Sequence, residues 1–125
     1  MLVFASLEAQ EASKTVQRAD RAYQDNNYKK ALEVYLKATS EEPVTAYIAR
    51  QVGNCYRLQG DMAQAEIWYE NAVKQNDHTD FDYLMLGYAQ KANGKDELSA
   101  ITLGKMYASQ KLSETNTSAI ESNSF

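Results

Sequence analysis

The 125-residue sequence has little of what shapes disulfide-linked, collagenous or β-sandwich proteins. Proline occurs once, glycine five times and cysteine once, so a collagenous chain, a β-sandwich with many tight turns and an intramolecular disulfide framework are excluded. No apolar run approaches the roughly 18 residues that a membrane span needs. With 13 Lys and Arg against 17 Asp and Glu, the formal net charge is −4, which argues against a nucleic-acid surface. The composition favours one helical domain.

A 34-residue internal repeat is the strongest pattern in the chain. Six pairs of identical or similar residues share this spacing. The pairs are Gly53 and Gly87, Gly60 and Gly94, Ala31 and Ala65, Tyr35 and Tyr69, Ala38 and Ala72, and Val52 and Leu86. One such pair arises easily by chance, whereas six in a single register indicate a true repeat.

Each repeat unit has the pattern of two amphipathic helices joined by a short polar turn. Apolar residues recur at helical spacing, and turn residues such as Asn26-Asn27, Gly60-Asp61 and Asn93-Gly94 separate the two halves. Asp61 followed three residues later by Gln64 is typical of a helix N-terminus. The sequence predicts six helices, at about residues 12–25, 28–40, 45–59, 62–75, 79–93 and 96–111.

The two ends of the chain differ from the repeats. Residues 1–11 are expected to be an N-terminal extension, in which the apolar stretch Leu2–Ala9 is either the remnant of a secretory signal or a packed helical turn. Residues 112–125 are rich in Ser, Thr and Asn and are predicted to be a linker towards a following domain. The three repeats are placed at about residues 12–44, 45–78 and 79–111.

The repeat unit resembles the tetratricopeptide repeat (TPR), over about residues 12–111. The resemblance rests on small, glycine and aromatic residues where the helices of TPR proteins pack closely. These structural repeat positions are Ala31, Tyr35, Ala38, Gly53, Tyr56, Ala65, Tyr69, Ala72, Leu86 and Gly87. Arg18, Gln90 and Met106 depart from the pattern, all in the outer repeats, where atypical units are normal. The resemblance implies an all-α fold, a right-handed TPR superhelix (an α-solenoid) of three helix-turn-helix repeats with a C-terminal tail.

Shorter strings are similar to the N-terminal TPR modules of Bacteroidetes OmpA-family proteins. The strings are Ala19–Tyr23, Tyr28–Ala31, Gly53–Arg57 with Trp68-Tyr69, and Thr117–Phe125. The family includes outer-membrane-associated lipoproteins of the type IX secretion system, in which β-domains and a peptidoglycan-binding domain follow the TPR domain. The resemblance implies a periplasmic location at the outer membrane, envelope proteins of the secretion system as partners, and peptidoglycan binding only through a domain outside this chain. A cytoplasmic location is the alternative.

Residues that could carry catalysis or bind a metal do not cluster in the sequence. His78 is the only histidine and lies in a turn between repeats, where a solvated residue is expected rather than a metal ligand. Cys55 fits a small packing position on its helix better than a nucleophile. We therefore expect no enzymatic activity, no metal site and no cofactor.

The TPR resemblance places the first helix of each repeat on a concave face. Aromatic and arginine side chains there are of the types that anchor protein partners. The expected partner-binding residues are Tyr47, Arg50, Asn54, Arg57, Phe81, Leu84, Tyr88 and Lys91. Arg50 and Arg57 are expected to be exposed, two helical turns apart, so that they could hold an acidic or carbonyl-rich segment. Val16 and Asp20 stand where chaperone-binding TPR domains carry a carboxylate clamp, so such a clamp is not expected.

The function expected from these features is that of a non-catalytic scaffold that binds a protein or peptide segment in its groove. One alternative is a structural spacer whose groove is filled by its own tail, with Ile120 and Phe125 as plugs. Another is a generic TPR adaptor in a different complex. Neither nucleic acid nor a direct membrane span is expected.

Overall fold

The structure is a computed structural model that describes residues 12–123, with side chains described through Thr115. These residues form six α-helices and no strand. The helices are α1 (Lys14–Gln24), α2 (Tyr28–Glu41), α3 (Ala46–Leu58), α4 (Met62–Lys74), α5 (Asp80–Ala92) and α6 (Asp96–Asn123). The predicted all-α fold of six helices is therefore confirmed.

Short polar side chains begin the first four helices. Ser13, Asn27, Thr45 and Asp61 occupy the N-cap positions, and each side-chain oxygen accepts a hydrogen bond from the backbone N–H three residues on, at 3.1 to 3.3 Å. Such a cap satisfies a donor that the helix itself leaves unpaired and contributes about 1 kcal/mol. The helix start that the sequence predicts at Asp61 is confirmed.

The turn between the two helices of each repeat contains one residue with a positive φ. The φ angle is 61° at Asn26, 84° at Gly60 and 81° at Gly94, and these residues are 34 positions apart. Glycine adopts this left-handed conformation without steric cost, and asparagine adopts it more readily than most other residues. The repeat register is therefore visible in the backbone as well as in the sequence.

Each helix packs on the next helix along the chain. The contacts are most extensive within the pairs α1–α2, α3–α4 and α5–α6, and less extensive between α2 and α3 and between α4 and α5. The interior combines small residues with two completely buried tyrosine rings, Tyr35 and Tyr69. The structural repeat positions named above are all buried except Tyr56, which is partly buried. Tyr56 packs against two groups of buried residues, one from α1, α2 and α3 and the other from α4 and α5.

The final helix is longer than the sequence predicts. A helical end near residue 111 and a linker over residues 112–125 are expected, whereas α6 continues to Asn123. Ser, Thr and Asn are weak helix formers, but no glycine or proline follows Gly104, so nothing breaks a helix that has already started. The N-terminal extension at residues 1–11 and the predicted plug Phe125 lie outside the described residues, as does the side chain of Ile120.

Candidate partner-binding groove

A groove of about 500 Å³ opens on the face built from the first helix of each repeat. We call it the aromatic groove. Its lining residues are Tyr23 from α1, Asn54 and Arg57 from α3, and Phe81, Leu84, Met85 and Tyr88 from α5. Five of the eight predicted partner-binding residues therefore line one groove.

Three large apolar side chains of this groove are exposed. Phe81 is 51% exposed, Leu84 42% and Tyr88 57%. Single exposed apolar residues are ordinary on a protein surface, but a cluster beside a concavity is typical of a binding site. The spacing from Phe81 to Leu84 and Tyr88 places all three on one face of α5.

The expectation that Arg50 is exposed is wrong. Its guanidinium donates hydrogen bonds to both carboxylate oxygens of Asp82, with Nε–Oδ1 at 2.5 Å and Nη2–Oδ2 at 3.2 Å. The side chain of Arg50 is only 19% exposed and that of Asp82 is fully buried. The hydrogen bond from Arg50 to Asp82 raises the pKa of the guanidinium above its ordinary value. Arg50 thus joins the second repeat to the third and does not line the groove.

The expectation that Arg57 is exposed is also wrong, but this side chain does line the groove. Arg57 is partly buried, and its Nε donates a hydrogen bond of 3.0 Å to the hydroxyl of Tyr69. That hydroxyl in turn donates to Oδ1 of Asn54 at 2.6 Å. No carboxylate among the described residues forms an ion pair with Arg57. The groove therefore has one cation whose charge is not balanced by a neighbouring acid.

A chain of hydrogen bonds continues from Asn54 towards the first repeat. Asn54 Nδ2 donates to Gln51 Oε1, and Gln51 Nε2 donates to the hydroxyl of Tyr35, both at 3.0 Å. Asp20 accepts from the hydroxyl of Tyr35 and, at 2.7 Å, from that of Tyr47. Burial, supported by the hydrogen bond to Asp20, raises the pKa of Tyr47 to about 12 and that of Tyr35 still further. These bonds fix the polar side chains beside the groove in one arrangement.

The remaining predicted binding residues lie outside the aromatic groove. Tyr47 is 41% exposed, but its hydroxyl bonds to Asp20 as described above. Lys91 is exposed and lies beside Asp96 and Leu103, in a separate surface depression. The groove that the structure forms is therefore shorter than the predicted face and centred between α3 and α5.

Two lining residues, Tyr23 and Met85, are absent from the predicted binding set. Tyr23 occupies the same register position in the first repeat as Arg57 in the second, which is a signal for its place on this face. Met85 completes an i, i+3, i+4, i+7 pattern with Phe81, Leu84 and Tyr88. That helical spacing alone identifies the apolar side of the groove.

The reactive side chains of the chain are separate from the groove. Cys55 is fully buried as expected, and burial raises the pKa of its thiol to about 12. His78 is exposed, with Nδ1 2.7 Å from the carbonyl oxygen of Gln75 and its ring edge-on to Tyr83. Within residues 12–123, no group of three His, Cys, Asp or Glu side chains could hold a metal ion. In the same part of the chain, no helix has the length and apolar character to cross a membrane.

No protein-family model matches this chain, and no curated protein is significantly similar to it. The fold and the groove define a helical protein with a repeated helix-pair architecture and an exposed apolar groove.

Proposed function

We propose that this chain is a non-catalytic scaffold that binds an apolar segment of a partner protein in the aromatic groove. The observation that carries the proposal is the cluster of Phe81, Leu84 and Tyr88, which are 42% to 57% exposed beside a concavity of about 500 Å³. Large aromatic side chains in such a setting are among the residues that supply most of the binding energy in protein interfaces.

The hydrogen-bonded side chains beside the groove support the proposal. Asn54 and Arg57 are both tied to the buried hydroxyl of Tyr69, so their positions are set before any partner arrives. Among the described residues, every buried side-chain polar atom has a hydrogen-bond partner. A surface that is already ordered loses little conformational freedom on binding, which favours affinity.

We further propose that the helix pairs are TPR repeats. The 34-residue register, the matching turns at Asn26, Gly60 and Gly94, and the packing of each helix on the next support this assignment. In a right-handed TPR superhelix, the aromatic groove would lie on the concave face. The proposal that the chain is a periplasmic module of an outer-membrane-associated OmpA-family protein of the type IX secretion system has narrower support, from the short sequence strings alone.

The proposal can be tested with a phage-displayed library of random twelve-residue peptides, selected against the purified chain. We expect the selected peptides to be rich in large apolar residues and to bind about tenfold more weakly to Tyr88→Ala, because an aromatic anchor at an interface is worth about 1–2 kcal/mol. Tyr107→Ala is the matched control, since Tyr107 is an exposed tyrosine of α6 outside the groove. Selected peptides that bind both variants as tightly as the original chain would contradict the proposal.

A further inference from the structure

We propose that the aromatic groove recognises a segment in which an Asp or Glu side chain stands next to a large apolar side chain, and that Arg57 holds the carboxylate. This inference rests on the proposed function and specifies the chemistry of the occupant. The apolar side chain would contact Phe81, Leu84 and Tyr88, which lie across the groove from Arg57 on the facing helix.

The hydrogen-bonding capacity of Arg57 is largely unused. A guanidinium carries five N–H donors, and in the described part of the chain Arg57 uses only Nε, which bonds to Tyr69. Both Nη atoms remain for a ligand. Because the bond to Tyr69 orients the guanidinium plane, the two nitrogens form a preset fork that can donate to both oxygens of one carboxylate.

The charge of the residues that line the groove favours an acidic occupant. Arg50 is neutralised by Asp82, and Lys95 is paired with Glu66, so both of these cations are compensated within the chain. The lining residues of the groove include one cation, Arg57, and no acid. In a chain with a net charge of −4, this lining carries the opposite sign to the whole molecule.

The apolar rings beside Arg57 strengthen the interaction. When an apolar side chain of the partner covers Phe81 and Tyr88, it excludes water from the guanidinium, and the local dielectric constant falls. All described lining residues come from α1, α3 and α5, and no inter-helix loop contributes to the groove. An extended segment can therefore pass through it, which is why we assign the carboxylate to a side chain and not to a chain end.

The test compares two capped dipeptides, N-acetyl-Phe-Glu-amide and N-acetyl-Phe-Gln-amide, which differ in charge but hardly in shape. Binding is followed by NMR titration, with the Arg57 Nε–H signal and the ring signals of Tyr88 as reporters. We expect the Glu peptide to bind roughly five- to tenfold more tightly at low salt, and this advantage to shrink as the salt concentration rises.

Arg57→Gln should bind the two peptides equally, because it lacks the cation that distinguishes Glu from Gln. The matched control is Lys91→Gln, which removes one positive charge at the same register position of the third repeat, outside the groove. It should keep the preference for Glu. Because Arg57 also bonds to Tyr69, urea unfolding of Arg57→Gln must show that the variant is folded.

Each contrary outcome has a distinct meaning. Equal binding of both peptides to the original chain would overturn the carboxylate inference and leave the proposed function intact. Tighter binding of N-acetyl-Phe-Gln with a free C-terminal carboxylate would overturn the assignment to a side chain. If no peptide shifts the Tyr88 signals, both the inference and the proposed function of the groove are contradicted.

Discussion

Replacing glycine by alanine should have opposite effects at different helical positions of this chain. Gly53, Gly87 and Gly104 all lie inside helices, where alanine is intrinsically favoured by about 1 kcal/mol. A Cβ atom added at Gly53 would lie 2.7 Å from both Cδ1 and Cε1 of Tyr69, and one added at Gly87 would lie 2.7 Å from Cδ2 of Leu103. At Gly104 a Cβ atom would meet nothing within 4 Å.

The cost of the added methyl group depends on whether its neighbour can move. Tyr69 is completely buried, and its hydroxyl bonds to both Asn54 and Arg57. The ring is therefore fixed at its hydroxyl end by these bonds and at its other end by the backbone. We expect overpacking to cost about 2–3 kcal/mol at Gly53, which leaves a net destabilisation of about 1–2 kcal/mol after the gain in helix propensity. Leu103 is only partly buried and can change rotamer, so Gly87→Ala should be nearly neutral.

Gly104→Ala should stabilise the chain by about 0.5–1 kcal/mol, because it has the propensity gain without the clash. Urea unfolding followed by circular dichroism measures the stability of all three variants. The slope of the unfolding free energy against urea concentration should be the same for each of them. From most to least stable, we expect Gly104→Ala, then the original chain together with Gly87→Ala, and last Gly53→Ala. If Gly53→Ala proved as stable as Gly104→Ala, the close packing of Tyr69 on Gly53 would be refuted.

Three further predictions concern the first turn, the buried tyrosines and the cysteine. Asn26→Gly should stabilise the chain by up to about 1 kcal/mol in urea unfolding, because Asn26 has a φ of 61° that glycine adopts without strain; a loss of stability would show that the side chain of Asn26 matters more than its backbone. Stability should be fully present below about pH 9 and fall between pH 9 and 12. Burial raises the pKa of Cys55 from 9.0 and that of Tyr47 from 10.0, each to about 12, and raises the pKa of Tyr35 further, so the folded chain retains protons that the unfolded chain releases. Tyrosinate absorbance recorded with circular dichroism checks this, and an unfolding midpoint that is unchanged up to pH 12 would contradict it. Cys55 should react with a thiol reagent at pH 8 only as fast as the chain opens, since the thiol is fully buried and its pKa is raised to about 12. Complete labelling of the folded chain within seconds would refute that expectation.

The helices and turns could be predicted from the sequence because their causes are local. A cap such as Asp61 acts on a backbone N–H three residues away, and the positive φ of Gly60 and Gly94 depends on the residue itself. The end of α6 could not be placed in this way. A tract of weak helix formers neither stops nor starts a helix by itself, so the extent of α6 depends on the helix that precedes the tract.

The apolar side of the groove could also be predicted, since Phe81, Leu84 and Tyr88 follow helical spacing on one element. The role of Arg50 could not. Its partner Asp82 is 32 residues away. From the sequence alone, the Asp82 carboxylate could equally well bond only to the start of its own helix, α5. A carboxylate can accept several hydrogen bonds at once, so one use of Asp82 does not exclude the other. Only the fold, which brings Arg50 of α3 next to Asp82 of α5, shows that both occur.

The third repeat departs from the first two at two positions, and together these departures explain where the groove lies. Tyr35 and Tyr69 each donate a hydrogen bond to a polar side chain 15 residues earlier, Asp20 and Asn54 respectively. In the third repeat Leu103 takes the place of the tyrosine, so the donor is missing, and Tyr88 takes the place of the acceptor. A polar acceptor beside Leu103 would lack this partner, whereas an aromatic ring needs none. The ring of Tyr88 can therefore lie 57% exposed at the groove, and the aromatic groove forms where the repeat pattern is broken.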